Sequence, residues 1–430
     1  MNRVAVGLFL VGCTSAIPSP TPTRAAHTAP SASRRDRSTG GGVRDVGDAT
    51  IRVLLSSRTT IARAASPSGM AWITRDGSLV ARARGDEVWR VQFEGRRVRA
   101  VRPDGAPTVW IDSPLVGRSL GAGLVSIGGR PYRGELSFYG SDSGGAIINV
   151  VTIDDYLRGV VPLEIGTRAI ADSAAIQAQA VTARSYAYTH LTRQPSRIYD
   201  VAASVRDQVY GGVAAETAVA SEAVETTRTL VLKYDGRVVN APYHSTCGGS
   251  TAAASEVWRS ADEPYLRSVS DRIPGTNRFY CDGAPRFRWT RTLSGATVNA
   301  ALAHYLAAYT SVPGRDPGIA RDVAVSLRTP SGRVGTITIT TDRGNFVLRG
   351  NDIRYVLRKP AGEILNSTNF LIEKSPAPDG SIAVLTLRGF GYGHGVGMCQ
   401  SGAIGRARAG QDFRTILHTY YPGTTVGPPT

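Results

Sequence analysis

Hydrophobic and polar positions change rhythm several times along the chain, and the changes divide it. From Ala49 to about Gly145 the apolar residues come in short runs (IRVLL, MAWIT, VWRVQF, LVSIGG, YRGELSFYG) separated by Gly, Asp, Ser and Pro, which predicts a β subdomain over 49–145. The run Ile147 to Thr152 reads as a buried strand leading to Glu164, which is expected on a loop or helix start because Pro162 cannot continue a helix. Ile176, Ala180, Ala183, Ala187 and Leu191 fall at helical spacing behind a cap at Asp172 or Ser173. A short helix (Ala214 to Thr227) and a hairpin turning at Asp235-Gly236 then deliver Tyr243 to Thr246. Between Phe287 and Ile372 a helix, three strands and a second helix form an insertion, after which IAVLTLRG enters a glycine-dense loop and Gln411 to His418 closes the chain as a helix. The fold class is therefore α+β, with mixed helices and mainly antiparallel strands: an N-terminal β subdomain, a core made of 146–286 and 373–425, and an inserted α/β subdomain over 287–372.

The first 48 residues follow neither rhythm. Met1-Asn2-Arg3 is a short basic leader, Val4 to Val11 is apolar, and Leu10-Val11-Gly12-Cys13 reads as a lipobox. The apolar run is too short to span a bilayer. Residues 1–12 are thus expected to be a lipoprotein signal peptide and Cys13 to carry the lipid, giving an exported, membrane-anchored protein that faces the periplasm or cell wall. Residues 13–48, rich in Ser, Thr, Pro, Ala and Arg, are expected to be a disordered tether. The net charge of +16 is almost wholly arginine, since Lys233, Lys359 and Lys374 are the only lysines. No nucleic-acid-binding motif accompanies it, so a nucleic-acid partner is not expected; anionic wall polymers suit it better.

Candidate chemistry concentrates in two distant stretches. Glu164 follows Val160, Val161, Pro162 and Leu163, apolar surroundings that would raise a carboxyl pKa and keep its proton for general-acid work. Glycine occupies every other position from Gly389 to Gly397, interleaved with Tyr392 and His394 and followed by Gln400, backbone shaped for close approach to a ligand. Cys247, Cys281 and Cys399 remain once Cys13 is lipidated. Two readings stay open for them: a Cys247–Cys281 disulfide with Cys399 free, or a metal site made of His244, Cys247 and Cys281, with His244-x-x-Cys247 at ligand-like spacing.

Seven segments in order resemble the family of the stage II sporulation protein D and the LytB amidase enhancer. They are Tyr132 to Gly134, Asp155 to Glu164, Ala178 to Ala187, Gln208 to Gly211, Tyr243 to Thr251, Gly393 to Ala403 and Tyr420 to Thr424. The resemblance implies a peptidoglycan lytic transglycosylase that leaves 1,6-anhydro-N-acetylmuramic acid ends, with Glu164 as the catalytic residue. It implies substrate contacts at Gln179, Arg184, Tyr210, His244, Ser245, Tyr392, His394 and Gln400, with Gln179 and Arg184 orienting either a sugar or the Glu164 loop. No cofactor is needed for such chemistry, although zinc occurs in some members and would be structural here. Hydrolysis of a glycoside ordinarily takes two carboxylates, whereas a transglycosylase uses the substrate's own C6 hydroxyl, so one carboxyl suffices. Asp154, Asp155 and Glu256 are the other carboxylates weighed for the site, each with an ordinary turn or cap role as its alternative. The family also implies a second role, a non-catalytic wall-binding protein that activates an N-acetylmuramoyl-L-alanine amidase. Glycan strands, a membrane through the lipid anchor and a cell-wall amidase are the partners implied. Cys399 departs from the serine usual in the family.

Overall fold

A computed structural model of the chain describes residues 49–85, 87–121, 123–191, 196–359 and 361–429. The leader, Cys13 and the tether lie outside the described residues.

Strand Thr50–Thr59 organises the first sheet. It pairs antiparallel with Gly145–Thr152 and parallel with Val201–Ala202. From Gly145–Thr152 the sheet continues through Glu135–Tyr139, Leu115–Ser119 and Met70–Ile73 to Leu79–Ala83, seven strands in all. A second, six-stranded sheet runs in space from Arg130–Tyr132 through Val125–Ile127, Ile61–Ala65, Trp89–Glu94 and Arg97–Val101 to Ile111–Asp112. Trp72 of the first sheet meets Trp89 of the second with ring centroids 5.9 Å apart, and both are buried.

Gly145–Thr152 passes directly into helix α1 (Ile153–Ile165). Thr152 caps it by accepting the Asp155 N–H, and Asp154 and Asp155 place negative charge in the first turn, where the helix dipole favours it. Because this cap starts the helix well ahead of Pro162, the proline lies inside the last turns and Glu164 sits at the helix end, not on a loop. Gly166, at φ 81°, terminates it.

Helix α2 (Ser173–His190) is buried on nearly every side, not along one stripe: Ala175, Ala178, Ala180, Val181, Ala183 and Ala187 are joined inside by Gln179, Thr182, Arg184 and Ser185. Alanines leave room for neighbours to approach from all directions, and α1, helix α3 (Ala218–Thr226) and two helices near the C-terminus pack on it. Asp172 holds the N-cap position without capping; its carboxylate is taken by Arg408 at 2.7 and 3.0 Å. The hairpin at Asp235-Gly236 forms with both residues at positive φ, and Val231–Tyr234 also pairs with Thr425–Gly427. Beyond it, Tyr243–His244 pairs parallel with Met398–Cys399, joining the two distant motif segments through backbone.

Beyond helix α4 (Ala254–Val257) the chain still feeds the first core through Leu266, Cys281 and Phe287, and a second hydrophobic core begins at Leu293. Two three-stranded sheets build it, one from Arg288–Ser294, Ile382–Phe390 and Phe370–Pro376, the other from Ala320–Arg328, Val334–Thr341 and Gly344–Arg349. Helices α5 (Gly295–Tyr305) and α6 (Asp352–Val356) complete it, with Leu293, Leu302, Ile337, Ile339, Leu385 and Leu387 among its buried residues. Ile382–Phe390 thus belongs to this second core and runs straight from it into the glycine loop. Helices α7 (Gln400–Arg408) and α8 (Phe413–Tyr420) return to the first core. The architecture is α+β with mainly antiparallel pairing.

Candidate active site

Glu164 is half-buried, and its Oε1 accepts the Val209 N–H at 2.7 Å. Burial raises its pKa above the ordinary glutamate value, partly offset by the Val209 amide and by the neighbouring Tyr243 hydroxyl. The source of that burial differs from the sequence expectation. Val160, Val161 and Pro162 face the core and Leu163 is 45% exposed, so the apolar run does not itself enclose the carboxyl. Segments 207–209 and 240–243 enclose it instead.

The groups behind Glu164 form a connected network. Gln400, at the start of α7, donates from Nε2 to the Glu164 carbonyl at 3.0 Å and to Gln179 Oε1 at 3.2 Å. The last turn of a helix leaves carbonyls without intrahelical partners, and Gln400 satisfies this one. On the other side the Tyr156 hydroxyl donates to Gln208 Oε1, and Gln208 Nε2 donates to the Tyr243 hydroxyl, both at 3.1 Å. The Tyr243 hydroxyl, held as acceptor by Gln208, lies in the surroundings of the Glu164 carboxyl.

In front of Glu164 lies a cavity of about 410 Å³ lined by Tyr186, His190, Asp207, Tyr243, Trp258 and His394, among others. The His394 ring lies 5.1 Å from Trp258. Its Nδ1 accepts the Val396 N–H at 3.1 Å, which leaves Nε2 to donate to the Tyr243 carbonyl at 2.9 Å. Burial depresses its pKa to about 3, so the ring is neutral. Asp207 is a second carboxylate in the cavity. Its Oδ1 accepts from the Tyr186 hydroxyl at 3.1 Å and its Oδ2 from Ala202 N–H at 2.8 Å. Asp154, Asp155 and Glu256 do not line this cavity.

The glycine loop approaches protein instead of open space. A Cβ on Gly393 would lie 2.8 Å from His244 Cβ, and one on Gly397 would lie 2.0 Å from the Pro242 carbonyl. Both glycines have positive φ, at 118° and 69°. Glycines 391, 393 and 397 therefore let the loop lie close on 242–247, which holds His394 in the cavity that Glu164 also lines.

Several residues expected to touch substrate are placed elsewhere. Arg184 is 1% exposed and spends its guanidinium on Asp154 at 2.8 Å and on the carbonyls of Val224, Thr227 and Leu230. It ties α1, α2 and α3 together. Tyr210 is buried with its hydroxyl on Asn149 Oδ1 at 2.8 Å and its ring against Tyr156. His244 is buried with Nδ1 on the Val396 carbonyl at 3.1 Å. Ser245 offers its carbonyl to Ser401, and Tyr392 carries Arg286 over its ring at 4.0 Å; neither lines the cavity. Gln179 and Gln400 stand behind Glu164. Tyr243, Tyr186, Asp207 and Trp258 were missed; Tyr243, Tyr186 and the Gln208-Val209 turn lay inside recognised motif segments, whereas nothing local marked Asp207 or Trp258.

A second cluster lies apart from this cavity. Cys247 Sγ is 3.5 Å from Cys281 Sγ, and these sulfurs, Cys399 Sγ and an Asp271 carboxylate oxygen all fall within 4.8 Å of one another. His244 is not among them; its Nδ1 meets the Val396 carbonyl and its Nε2 has no hydrogen-bond partner among the described residues. Cys399, expected to stand apart as a free thiol, belongs to the cluster.

Comparison with known proteins places this geometry in a family. The stage II sporulation protein domain matches residues 141–234, which carry Glu164 and Gln179, and a domain of unknown function matches residues 273–397. An uncharacterized protein of Brachyspira hyodysenteriae is 32% identical over 70% of this chain and 73% of its own length. The amidase enhancer of Bacillus subtilis is 29% identical over 70% of this chain, which spans only 45% of that longer protein. Stage II sporulation protein D of Bacillus subtilis is 29% identical over 64% of this chain and 74% of its length. The chain belongs to the stage II sporulation protein D and amidase-enhancer family. Among the described residues no helix is long and apolar enough to cross a membrane.

Proposed function

We propose that the protein is a lytic transglycosylase of peptidoglycan, exported and held at a membrane through lipid on Cys13. The observation that carries the reading is Glu164, its pKa raised by burial, fixed by Val209 N–H at 2.7 Å in a cavity that it lines together with Tyr186, Tyr243, Trp258 and His394. Aromatic walls with a few placed polar groups suit the apolar faces of sugar rings.

In this mechanism the Glu164 carboxylic acid gives its proton to the glycosidic oxygen as the bond from that oxygen to C1 of N-acetylmuramic acid breaks. The substrate's C6 hydroxyl then bonds to C1, closing the 1,6-anhydro ring, and its proton passes to the Glu164 carboxylate, which restores the acid. The Val209 amide and the Tyr243 hydroxyl stabilise the carboxylate between the two transfers. Neutral His394 is a positioning group, not a base. Asp207 has both oxygens engaged by Tyr186 and Ala202, a support role for the wall of the cavity.

A second reading, a wall-binding activator of a cell-wall amidase, is favoured by the likeness to the amidase enhancer. Digesting purified glycan strands and weighing the products separates the two. The first reading expects 1,6-anhydro ends and the second expects no cleavage; new reducing ends would instead show a hydrolase and contradict the first.

A further inference from the structure

We propose that Cys247, Asp271, Cys281 and Cys399 hold one structural zinc ion. Four chain segments contribute: the loop after Tyr243–His244, two points before the insertion, and the residue immediately before α7. Three sulfurs and one carboxylate oxygen within 4.8 Å of one another make a four-donor set of the kind that takes zinc tetrahedrally. With zinc–sulfur bonds of about 2.3 Å, tetrahedral sulfurs stand roughly 3.8 Å apart. Cys247 and Cys281 stand at 3.5 Å, and Cys247 Sγ lies 3.7 Å from Asp271 Oδ2.

The surroundings of the four donors suit ligation better than a disulfide. Cys399 Sγ accepts two backbone N–H groups, from Cys247 and Gly402, both at 3.2 Å, the arrangement that supports a thiolate. Asp271 Oδ1 is already held by the Tyr420 hydroxyl at 2.7 Å and Arg406 Nε at 3.2 Å, which leaves Oδ2 turned to the sulfurs. Gly402 has no side chain because a Cβ there would fall 2.3 Å from that Oδ2.

Charge gives an independent argument. Arg333 is 1% exposed, donates Nη2 to the carbonyls of Cys247 and Ser250, and leaves Nε and Nη1 without a hydrogen-bond partner among the described residues. A buried guanidinium needs nearby negative charge. Three thiolates and a carboxylate around a divalent ion leave a double negative charge, which Arg333 and Arg406 offset. A Cys247–Cys281 disulfide would use two of the four donors and leave the Cys399 sulfur, the Asp271 oxygen and Arg333 unaccounted for.

All four donors are buried, so the site is closed and structural, with no open position for substrate. The ion would pin Cys399, and with it Gln400, to the segment that begins with Tyr243. The proposal does not depend on the transglycosylase reading, because its test measures metal. The full-length protein, produced in an export-competent host and purified without chelator, should contain about one zinc per chain. Cobalt exchanged into it should give thiolate-to-cobalt charge-transfer absorption. In Cys399→Ser, zinc content should fall roughly tenfold or more while the other two cysteines stay intact. Denaturation in chelator without reductant should leave Cys247 and Cys281 alkylatable. A peptide disulfide-linked through Cys247 and Cys281, a fully stable wild-type protein without metal, or full zinc content in Cys399→Ser would each overturn the site.

Discussion

Gln400 Nε2 donates to the main-chain carbonyl of Glu164 at 3.0 Å, across 236 residues of chain, while also reaching the buried Gln179. Replacing Gln400 by Ala strands that carbonyl and the Gln179 amide, a loss of about 1–3 kcal/mol. It also frees the end of α1 on which the carboxyl sits. Gln400→Ala is expected to lower the unfolding midpoint in denaturant and to reduce glycan cleavage more than tenfold with little change in glycan binding. Unchanged turnover would show that the Glu164 carboxyl is positioned without this bond.

The fold was legible where local rules govern it. Short alternating runs with turn residues marked strands between Thr50 and Tyr139, and Asp235-Gly236 marked a separate hairpin. Glu164 and His394 could be paired because each sat in a motif segment whose partner lay elsewhere in the chain. What sequence could not supply were the partners that arrive from outside a motif. Asp207 and Trp258 reach the cavity only through tertiary packing, and the sulfur cluster depends on Asp271, which no spacing announces. Arg184 misled for the opposite reason: a charged residue in a motif helix reads as functional, yet Asp154 and three main-chain carbonyls consume it. Pro162 likewise suggested a boundary that the Thr152 cap had already placed upstream.

For Arg184 the expected consequence is loss of stability. Arg184→Met removes the ion pair with the partly exposed Asp154, which keeps Arg228, and takes a donor from the carbonyls of Val224, Thr227 and Leu230, so unfolding should become easier by about 1–3 kcal/mol. At a temperature where the variant is folded, its KM for glycan should match that of the wild type. A raised KM with unchanged stability would return Arg184 to the substrate.

Because burial holds the Glu164 pKa above the ordinary value of 4.5, the acid form persists to higher pH. Cleavage should therefore fall as pH rises through that raised pKa. His394 takes up a proton only near pH 3 and should add no inflection around neutrality. In Tyr243→Phe the carboxyl loses the neighbouring hydroxyl that lowers its pKa, so the falling limb should move to higher pH. A pH–rate profile of kcat/KM reads both shifts, and a limb centred at or below pH 4.5 would contradict them.

If Cys13 carries the lipid, Cys13→Ala should move the protein from the membrane fraction to the soluble fraction and abolish acyl labelling. Unaltered fractionation would remove the anchor from the account.

The most direct test of the central claim is Glu164→Gln, assayed on purified glycan strands with products weighed by mass spectrometry. Glutamine keeps an oxygen for the Val209 N–H but cannot give or take the proton. Cleavage should fall by about 10²–10⁴ or more while glycan binding survives, and the wild-type products should end in 1,6-anhydro-N-acetylmuramic acid. Undiminished cleavage by Glu164→Gln, or ordinary reducing ends from the wild type, would contradict it.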